Sequence, residues 1–452
     1  MSKKYWSIAL AYVGVIVGAG LSSGQDLLQY FLSFGKKGML GVVFMGALNI
    51  FFGRVMVTLG SYYRSENHQD VFNEITHPTL NKVIDATLII ADFVMGFVML
   101  AGAGANLEQQ FSIPASLGAL GCAVLIILVA FMDFDKITRI LGIFTPIMVI
   151  VIMLITAYTF IGKSYDWDML DQAAKTVKPA IPNIWVSTLN YFALCALTGV
   201  SMAFLLGGSV VRIGVAEKGG TIGGIIIGVI VTCASATLFA NVDVIKGKDI
   251  PMLVIVDRIH PVLAPIYALT ILALIFNTAF SLFYAIAKRF ASDDIKKMRI
   301  ILIITVVAGY ICSFGGFKTL ISKMYPILGY MGIVLLLVLA IVWVGERNNI
   351  KAEKLLRRNM IKILLRKYDD NQEYTPKDKR KFRKLSEKSV ADTKTIREDV
   401  KSYVEDVVEQ NEDLQEYVEN SFPAEENTNT ASSESTSNES ASSEATNNES
   451  IK

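Results

Sequence analysis

The feature that most constrains this chain is a succession of long apolar segments that fills most of its length. A helix needs about 20 mostly apolar residues to cross a hydrocarbon core of roughly 30 Å. About ten segments meet this requirement. They cover Trp6–Phe34, Gly38–Tyr62, Val83–Ala105, Pro114–Phe131, Ile137–Ile161, Ile184–Leu206, Gly220–Ala240, Pro261–Ala287, Ile300–Ser313 and Tyr325–Val344. The sequence therefore predicts an all-α membrane protein with about ten transmembrane helices.

A polar tail follows the apolar part. Hydrophobic residues make up 52% of the 452 residues and charged residues 19%, and the charge is concentrated after Val344. We predict a transmembrane domain over residues 1–344, a charged helical region over 345–422, and a disordered Ser/Asn/Glu-rich end over 423–452. Within the charged region, Ile350–Tyr368 is expected to lie as an amphipathic helix on an anionic inner leaflet. The region is also the candidate surface for self-association or a protein partner.

Lysine and arginine in short loops indicate the orientation, because positive charge is retained on the cytoplasmic side during insertion. Lys3 and Lys4 precede the first span, and a dense run of basic residues follows the last one. An even number of spans then places both termini in the cytoplasm. The first apolar segment is too long for a cleaved signal peptide and is predicted to be a retained span.

The first apolar segment carries an unusual mixture of glycine and polar residues between Tyr12 and Tyr30. Its small residues are Gly14, Gly18, Gly20 and Gly24, and its polar ones are Ser22, Ser23, Gln25 and Asp26. Glycine weakens a helix, and unpaired polar groups in hydrocarbon are tolerated only beside a cavity or other protein. We interpret the segment as a broken helix that borders a binding site, close helix packing being the alternative. Asp26 is expected near the outer edge of the span, where water solvates it.

A second interruption is predicted between Tyr191 and Val210, where Thr198, Gly199 and Ser201 lie inside an apolar run. If the spans form two sets of five, over residues 5–161 and 184–344, each interrupted helix is the first of its set. Interrupted helices at matching positions in two halves are typical of inverted-repeat transporters.

Two stretches carry a resemblance to known proteins. The sequences GAGLSSGQD, at residues 18–26, and KGKDIPMLVIVDRIHP, at residues 246–261, resemble those of YkvI-type bacterial membrane proteins. The plan of ten spans with breaks in spans one and six resembles the LeuT-fold transporters of the amino acid, polyamine and organocation superfamily. These resemblances imply a multi-pass protein of the bacterial cell membrane with a LeuT-like 5+5 inverted repeat.

A substrate site follows from the two predicted breaks. Backbone amides at the first break would hold a substrate carboxylate, and backbone carbonyls at the second would face an amino group. An aromatic side chain of the third span could close the pocket, although lipid contact or packing is the commoner role for such a residue. The candidate substrate-binding residues are Gly18, Gly20, Ser22, Ser23, Gly24, Gln25, Phe97, Thr198, Gly199 and Ser201.

Coupling is expected to involve ions. The resemblance to sodium-coupled transporters implies a Na⁺ site built from the carbonyls of Gly14 and Val17 and the side chains of Asn277 and Thr278. Hydrogen bonding between helices is the alternative role for the last two. Asp92 is a candidate proton carrier, because carboxyl groups inside membranes are commonly functional, with a structural role left open.

The function predicted is secondary active transport, by alternating access, of a small solute such as an amino acid or related zwitterion. A membrane sensor on the same fold, signalling through the tail, is the alternative. The sequence contains no nucleotide-binding glycine loop, zinc motif or nucleophile elbow, so an enzyme is not expected. Na⁺ as coupling ion is the only cofactor considered, and the predicted partners are the lipid bilayer and the solute, with no nucleic acid.

Overall fold

The computed structural model describes residues 2–16, 22–64, 77–132, 143–291, 294–369, 372–410 and 414–422. All regular elements within these ranges are helical. The chain divides into two compact units, one over residues 2–348 and one from Asn349 onward. The end of the first unit lies close to the predicted boundary at Val344.

The helices of the first unit follow the predicted apolar segments closely. In chain order they are α1 (Ser2–Ile16), α2 (Gln25–Tyr30), a 3₁₀ turn (Leu32–Phe34), α3 (Lys36–Tyr63), α4 (Pro78–Phe111), α5 (Ala115–Val129), α6 (Phe144–Phe160), α7 (Trp167–Lys175), α8 (Ile184–Gly208), α9 (Ile213–Ala240), α10 (Val242–Ile245), α11 (Pro251–Ile259), α12 (Leu263–Ala291), α13 (Ile295–Ser313) and α14 (Phe317–Leu365). Each predicted segment overlaps at least one of these helices, and the first segment is divided between α1 and α2.

Within the described residues, six helices are long and apolar enough to cross a membrane, namely α3, α4, α8, α9, α12 and α14. The helices α5 and α6 are apolar but shorter. The protein is therefore an all-helical membrane protein with several long apolar helices, while the total of about ten spans stays a prediction.

The core of the first unit depends on glycine contacts between α3, α8 and α9. A side chain at Gly220 of α9 would overlap the carbonyl oxygen of Gly53 on α3, and one at Gly224 would overlap that of Asn49. Further along α3, a side chain at Gly207 of α8 would overlap the carbonyl oxygen of Val57. Small residues let membrane helices approach until their backbones touch, so these glycines set the spacing of the three helices.

The remaining pairings follow a regular scheme. Helix α1 packs on α9, and α8 packs on α3. Helix α4 packs along α12, with α5 against α4 and α13 against both α12 and α4. Helix α1, from the N-terminal set of predicted spans, therefore packs against α9 of the C-terminal set, and α8 of the C-terminal set packs against α3 of the N-terminal set. The core of the first unit contains helices from both sets.

A polar connection ties the short helix α7 to the start of α3. Asp166 caps α7 by accepting hydrogen bonds from the amides of Asp168 and Met169, both at 3.1 Å. Asp171 accepts from the Lys36 amide at 2.6 Å and is paired with the Lys175 ammonium at 2.5 Å. The Lys175 ammonium and the Lys36 amide hold the pKa of the Asp171 carboxyl below its usual range.

The second unit contains the C-terminal part of α14 and the helices α15 (Pro376–Glu387), α16 (Thr393–Gln410) and α17 (Leu414–Ser421). Its buried apolar side chains include Ile350, Met360, Ile361, Ile363, Leu364, Leu365, Ile396, Val400, Val404 and Val407. The prediction that Ile350–Tyr368 lies on a lipid leaflet is therefore wrong, because much of the apolar side of that helix is covered by protein. The prediction of disorder over residues 423–452 lies outside the described residues.

A buried ion pair organises this second unit. Glu353 and Arg357 are 3% and 1% exposed, and the Arg357 Nε atom lies 2.7 Å from Glu353 Oε1. Ser389 Oγ donates to the same carboxylate at 2.5 Å, and the Val390 amide donates at 3.4 Å. The carboxylate thus joins α14 to the turn that follows α15.

We expect Gly220→Val to destabilise the first unit by about 1–3 kcal/mol, because the added side chain overlaps the backbone of α3. Gly121→Val is the matched control, since a side chain at Gly121 would meet nothing within 4 Å. Thermal unfolding of the detergent-purified protein measures both. Equal melting temperatures for the two variants would contradict this account of the helix spacing.

Replacing Arg357 by Leu should destabilise the second unit by about 3–5 kcal/mol, because the Glu353 carboxylate would stay buried without its cation. Arg383→Leu is the control, because it breaks an ion pair between Arg383, 76% exposed, and Glu387, 51% exposed. The expected destabilisation of the second unit by this variant is about 0–1 kcal/mol. Hydrogen exchange of α16 amides in the full-length protein reports the difference. Unchanged protection in Arg357→Leu would show that the buried pair does not hold this unit together.

Candidate functional site

The first apolar segment is interrupted at Gly24. Ser22 and Ser23 are helical, Gly24 adopts a left-handed backbone with φ 77°, and α2 begins at Gln25. A side chain at Gly24 would come within about 3 Å of Leu238 on α9 and Met252 on α11. Both the backbone conformation and the close neighbours require glycine here. Gly18, Gly20 and Val17 lie outside the described residues.

The second predicted interruption is wrong. Helix α8 runs without a break from Ile184 to Gly208 and passes through Thr198, Gly199 and Ser201. The Thr198 hydroxyl donates to the carbonyl oxygens of Leu194 at 3.3 Å and Cys195 at 3.1 Å. A mid-helix hydroxyl satisfied in this way needs no cavity. The backbone of α8 therefore offers no row of free carbonyls to a substrate amino group.

Polar residues at the Gly24 break are buried. Ser22, Ser23 and Gln25 are at most 1% exposed. The backbone N–H of Gln25 donates to Ser23 Oγ at 3.2 Å. Neither polar atom of the Gln25 carboxamide has a hydrogen-bond partner among the described residues. Tyr267 of α12 donates its hydroxyl to the Ser22 carbonyl at 2.9 Å. The break is thus enclosed by α9, α11 and α12.

Asp26 is buried rather than solvated, so the expectation for this residue is wrong. It is 2% exposed, and its Oδ2 atom accepts a hydrogen bond from the Tyr191 hydroxyl of α8. The Oδ1 atom has no hydrogen-bond partner in the described part of the chain. The short helix α2 packs its carboxyl-bearing face against α8, which removes Asp26 from water.

Three buried tyrosines lie on the helices that meet at this carboxyl group, and Tyr30, Tyr191 and Tyr325 are at most 4% exposed. Tyr191 donates to Asp26, and Tyr30 lies one helical turn after Asp26 on α2. Tyr325 is next to Pro326, whose carbonyl oxygen accepts a hydrogen bond from the Asn190 side chain, beside Tyr191, at 2.9 Å. The rings of Tyr30 and Tyr191 have centroids 5.1 Å apart. The hydroxyls of Tyr30 and Tyr325 have no hydrogen-bond partner among the described residues. We call Asp26, Tyr30, Tyr191 and Tyr325 the tyrosine–carboxylate cluster.

Part of this cluster was readable in the sequence. Asp26 and Tyr30 are four residues apart and therefore share a helix face. The contributions of Tyr191 and Tyr325 depend on tertiary packing of α8 and α14 against α2, which no local pattern reveals.

Phe97 packs beside Phe93 on α4 and close to Gly309 of α13. It is 6% exposed, its ring centroid is 5.6 Å from that of Phe93, and its Cβ atom faces Gly309 of α13. Phe93 in turn lies 6.5 Å from Phe283 of α12. The surroundings of Phe97 favour the packing role over pocket closure.

The predicted ion ligands are distributed over α1 and α12. Gly14 lies on α1, and a side chain there would meet nothing within 4 Å. On α12, the Thr278 hydroxyl donates to the Leu274 carbonyl at 2.9 Å, whereas the buried Asn277 Oδ1 atom has no partner among the described residues. Asn277 thus keeps a free acceptor oxygen, a suitable ligand atom for Na⁺. The Na⁺ site as a whole stays a prediction.

Asp92 lies half-buried on α4, with no ion pair or hydrogen bond within the described ranges. Its role as a proton carrier likewise stays a prediction. No group of three or more His, Cys, Asp or Glu residues suited to a metal ion occurs in the described part of the chain.

No family model matches this chain. It is distantly homologous to the uncharacterized membrane protein YkvI of Bacillus subtilis (strain 168), with 26% identity over 326 residues, covering 72% of this chain and 92% of YkvI. The uncharacterized protein YyaD of the same strain is 25% identical over 338 residues, covering 73% and 94%.

A solved transporter shares the fold. The crystal structure of MhsT in complex with L-phenylalanine matches with a TM-score of 0.50 and 16% identity, covering 84% of this chain and 94% of MhsT. The fold of the chain is therefore similar to that of LeuT-fold transporters.

Gly24→Ala should lower the melting temperature, since a left-handed backbone costs a non-glycine residue about 1–2 kcal/mol and the methyl group would press on Leu238 and Met252. Gly247→Ala is the control, because Gly247 also has a positive φ, of 85°, but open space around it. Thermal unfolding should show the larger loss for Gly24→Ala. A larger loss at Gly247 would contradict the packing at the break.

Proposed function

We propose that this protein is a secondary active transporter of a small solute, with its substrate site at the Gly24 break. The single observation that carries this proposal is the burial of unpaired polar groups beside an interrupted helix, in a fold similar to LeuT-fold transporters. A polar group without a partner is costly in a membrane core. The Gln25 carboxamide and the free oxygen of Asp26 are therefore best explained as groups that meet a ligand or water.

The packing scheme supports an inverted repeat. Helix α1 packs on α9 and α8 packs on α3, so the first helix of each half contacts the second helix of the other. Helices α4 and α12, the third of each half, pack along one another. This exchange between halves is what a 5+5 repeat would produce. In the proposed scheme only the first half's leading helix is interrupted, since α8 is continuous.

An amino acid or related zwitterion is the solute class that we propose. The carboxylate of the solute is proposed to lie at the Gly24 break, where α2 begins at Gln25. MhsT was crystallised with L-phenylalanine, which makes amino acids the first solutes to test. We further propose Na⁺ as coupling ion, with the free Asn277 oxygen among its ligands.

Rocking of the halves would open this site to each side in turn. The segment between α9 and α12 covers the break through Met252, and Gln109 of α4 holds that segment in place. The Gln109 carboxamide donates to the Ile250 carbonyl at 2.9 Å and accepts from its amide at 3.0 Å. Alternating access requires this cover to move, so the paired contacts are a candidate gate on that side.

Uptake into proteoliposomes tests the proposal. We expect a Na⁺ gradient, outside high, to drive accumulation of at least one radiolabelled L-amino acid above its equilibrium level, with empty liposomes as control. The same solute should raise the melting temperature of the purified protein, because a ligand selective for the folded state stabilises it. Binding without accumulation would favour the sensor that signals through its tail.

A further inference from the structure

The tyrosine–carboxylate cluster has the composition of a cation site. We propose that Asp26, Tyr30, Tyr191 and Tyr325 bind a monovalent cation, either the ammonium group of the substrate or an alkali metal ion. This inference rests on the proposed function and deepens it, because it identifies the charge that the solute or its coupling ion must carry.

The charge balance around Asp26 is the first argument. The carboxyl group is 2% exposed, and Tyr191 gives it one side-chain hydrogen bond. In the described part of the chain, Asp26 forms no ion pair with a lysine, arginine or histidine. A buried carboxylate without a counter-charge is strongly unfavourable, and a bound cation removes that cost.

The free oxygen atoms give the second argument. Asp26 Oδ1 and the hydroxyl oxygens of Tyr30 and Tyr325 are buried and have no hydrogen-bond partner among the described residues. A primary ammonium group has three donors and no acceptor, so it can satisfy several such oxygens at once. Alkali ions also prefer oxygen ligands, and the neighbouring aromatic rings favour a cation in addition.

The third argument is the location of the cluster. Asp26 lies two residues beyond the Gly24 break, whose amides are the proposed carboxylate site. An α-amino acid carries both charged groups on one carbon atom, so its ammonium group must find a partner close to that break. The carbonyls of α8 are occupied within a continuous helix, which leaves Asp26 as the acidic partner.

The cluster also joins separate parts of the chain. Tyr30 and Asp26 lie on α2, Tyr191 lies on α8 and Tyr325 lies on α14. A cation held by all three helices would stabilise their association, so its binding should raise the melting temperature.

The test uses the full-length protein in detergent, with melting temperature as the measurement. Sodium chloride, potassium chloride and the common L-amino acids are the probes, with tetraethylammonium chloride as the ionic-strength control. Asp26→Asn removes the charge but keeps the size of the side chain and an acceptor for Tyr191. Asp243→Asn makes the same chemical change at an exposed position of α10 and is the matched control.

We expect at least one probe to raise the melting temperature of the native protein and of Asp243→Asn, and to have no effect on Asp26→Asn. Tyr325→Phe removes one free oxygen and should weaken binding by roughly tenfold. It serves as the test if Asp26→Asn does not fold. An unchanged response in either folded variant would overturn the proposal, as would the absence of any response in the native protein.

The two sources of the cation give different results. If the substrate supplies it, an amino acid stabilises the protein in sodium-free buffer, and its 2-hydroxy acid analogue does not. If an alkali ion fills the cluster, sodium or potassium stabilises the protein without any amino acid, and Asp26→Asn removes that effect. Proteoliposome uptake separates this proposal from the proposed function. Uptake that persists unchanged in Asp26→Asn would sink the cation site alone, whereas cation binding without any uptake would sink transport alone.

Discussion

The structure depends on one constraint, namely that polar groups inside a membrane must be satisfied by the protein itself. Along most of the chain this is achieved by unbroken helices, whose backbone groups pair internally. Several hydroxyl residues inside these helices donate to carbonyls one turn earlier, as Thr198 and Thr278 do, whereas the buried hydroxyls of Thr58 and Ser235 have no partner among the described residues. The Gly24 break is the place in the described part of the first unit where a left-handed residue interrupts the helical pattern within a predicted span. Asp26 and Gln25, with their unpaired polar atoms, follow it directly.

The close packing of α3 with α8 and α9 is the second consequence of this constraint. Lipid tails are as apolar as leucine side chains, so moving a leucine from lipid into a helix interface gives little hydrophobic stabilisation. Direct backbone contact at Gly53 and Gly220 supplies dispersion energy instead. A closely packed group of helices formed in this way can hold the left-handed Gly24 backbone in place, because Leu238 of α9 lies directly against it. The packing of α9 against α3 therefore helps to position the backbone at the Gly24 break.

The fold was largely readable from hydropathy, and the site only in part. Apolar length located the helices, because the bilayer sets a minimum span that few soluble segments reach. Composition also located the first break, since four glycines and several polar residues occur together there. The same reasoning failed at Thr198, Gly199 and Ser201, because small and hydroxyl residues also fit a continuous, closely packed helix. Local sequence does not distinguish these outcomes. The difference lies in whether a side chain can satisfy itself within the helix: a threonine hydroxyl can, and an aspartate carboxylate has no proton to return to the helix carbonyls.

This difference explains why Asp26 was misplaced and why it is informative. Its position near the end of an apolar segment favoured a solvated carboxyl group, yet α2 is short and packs against α8, so the segment's end is covered by protein. Burial of a carboxyl group in this way costs free energy that packing alone does not return. In the proposed cation site, a cation beside Asp26, Tyr30, Tyr191 and Tyr325 would remove that cost. In that proposal, the same carboxylate would both bind the cation and affect the stability of the helices around the break. Alternating access would require such a link, because binding must change which arrangement of the helices is favoured.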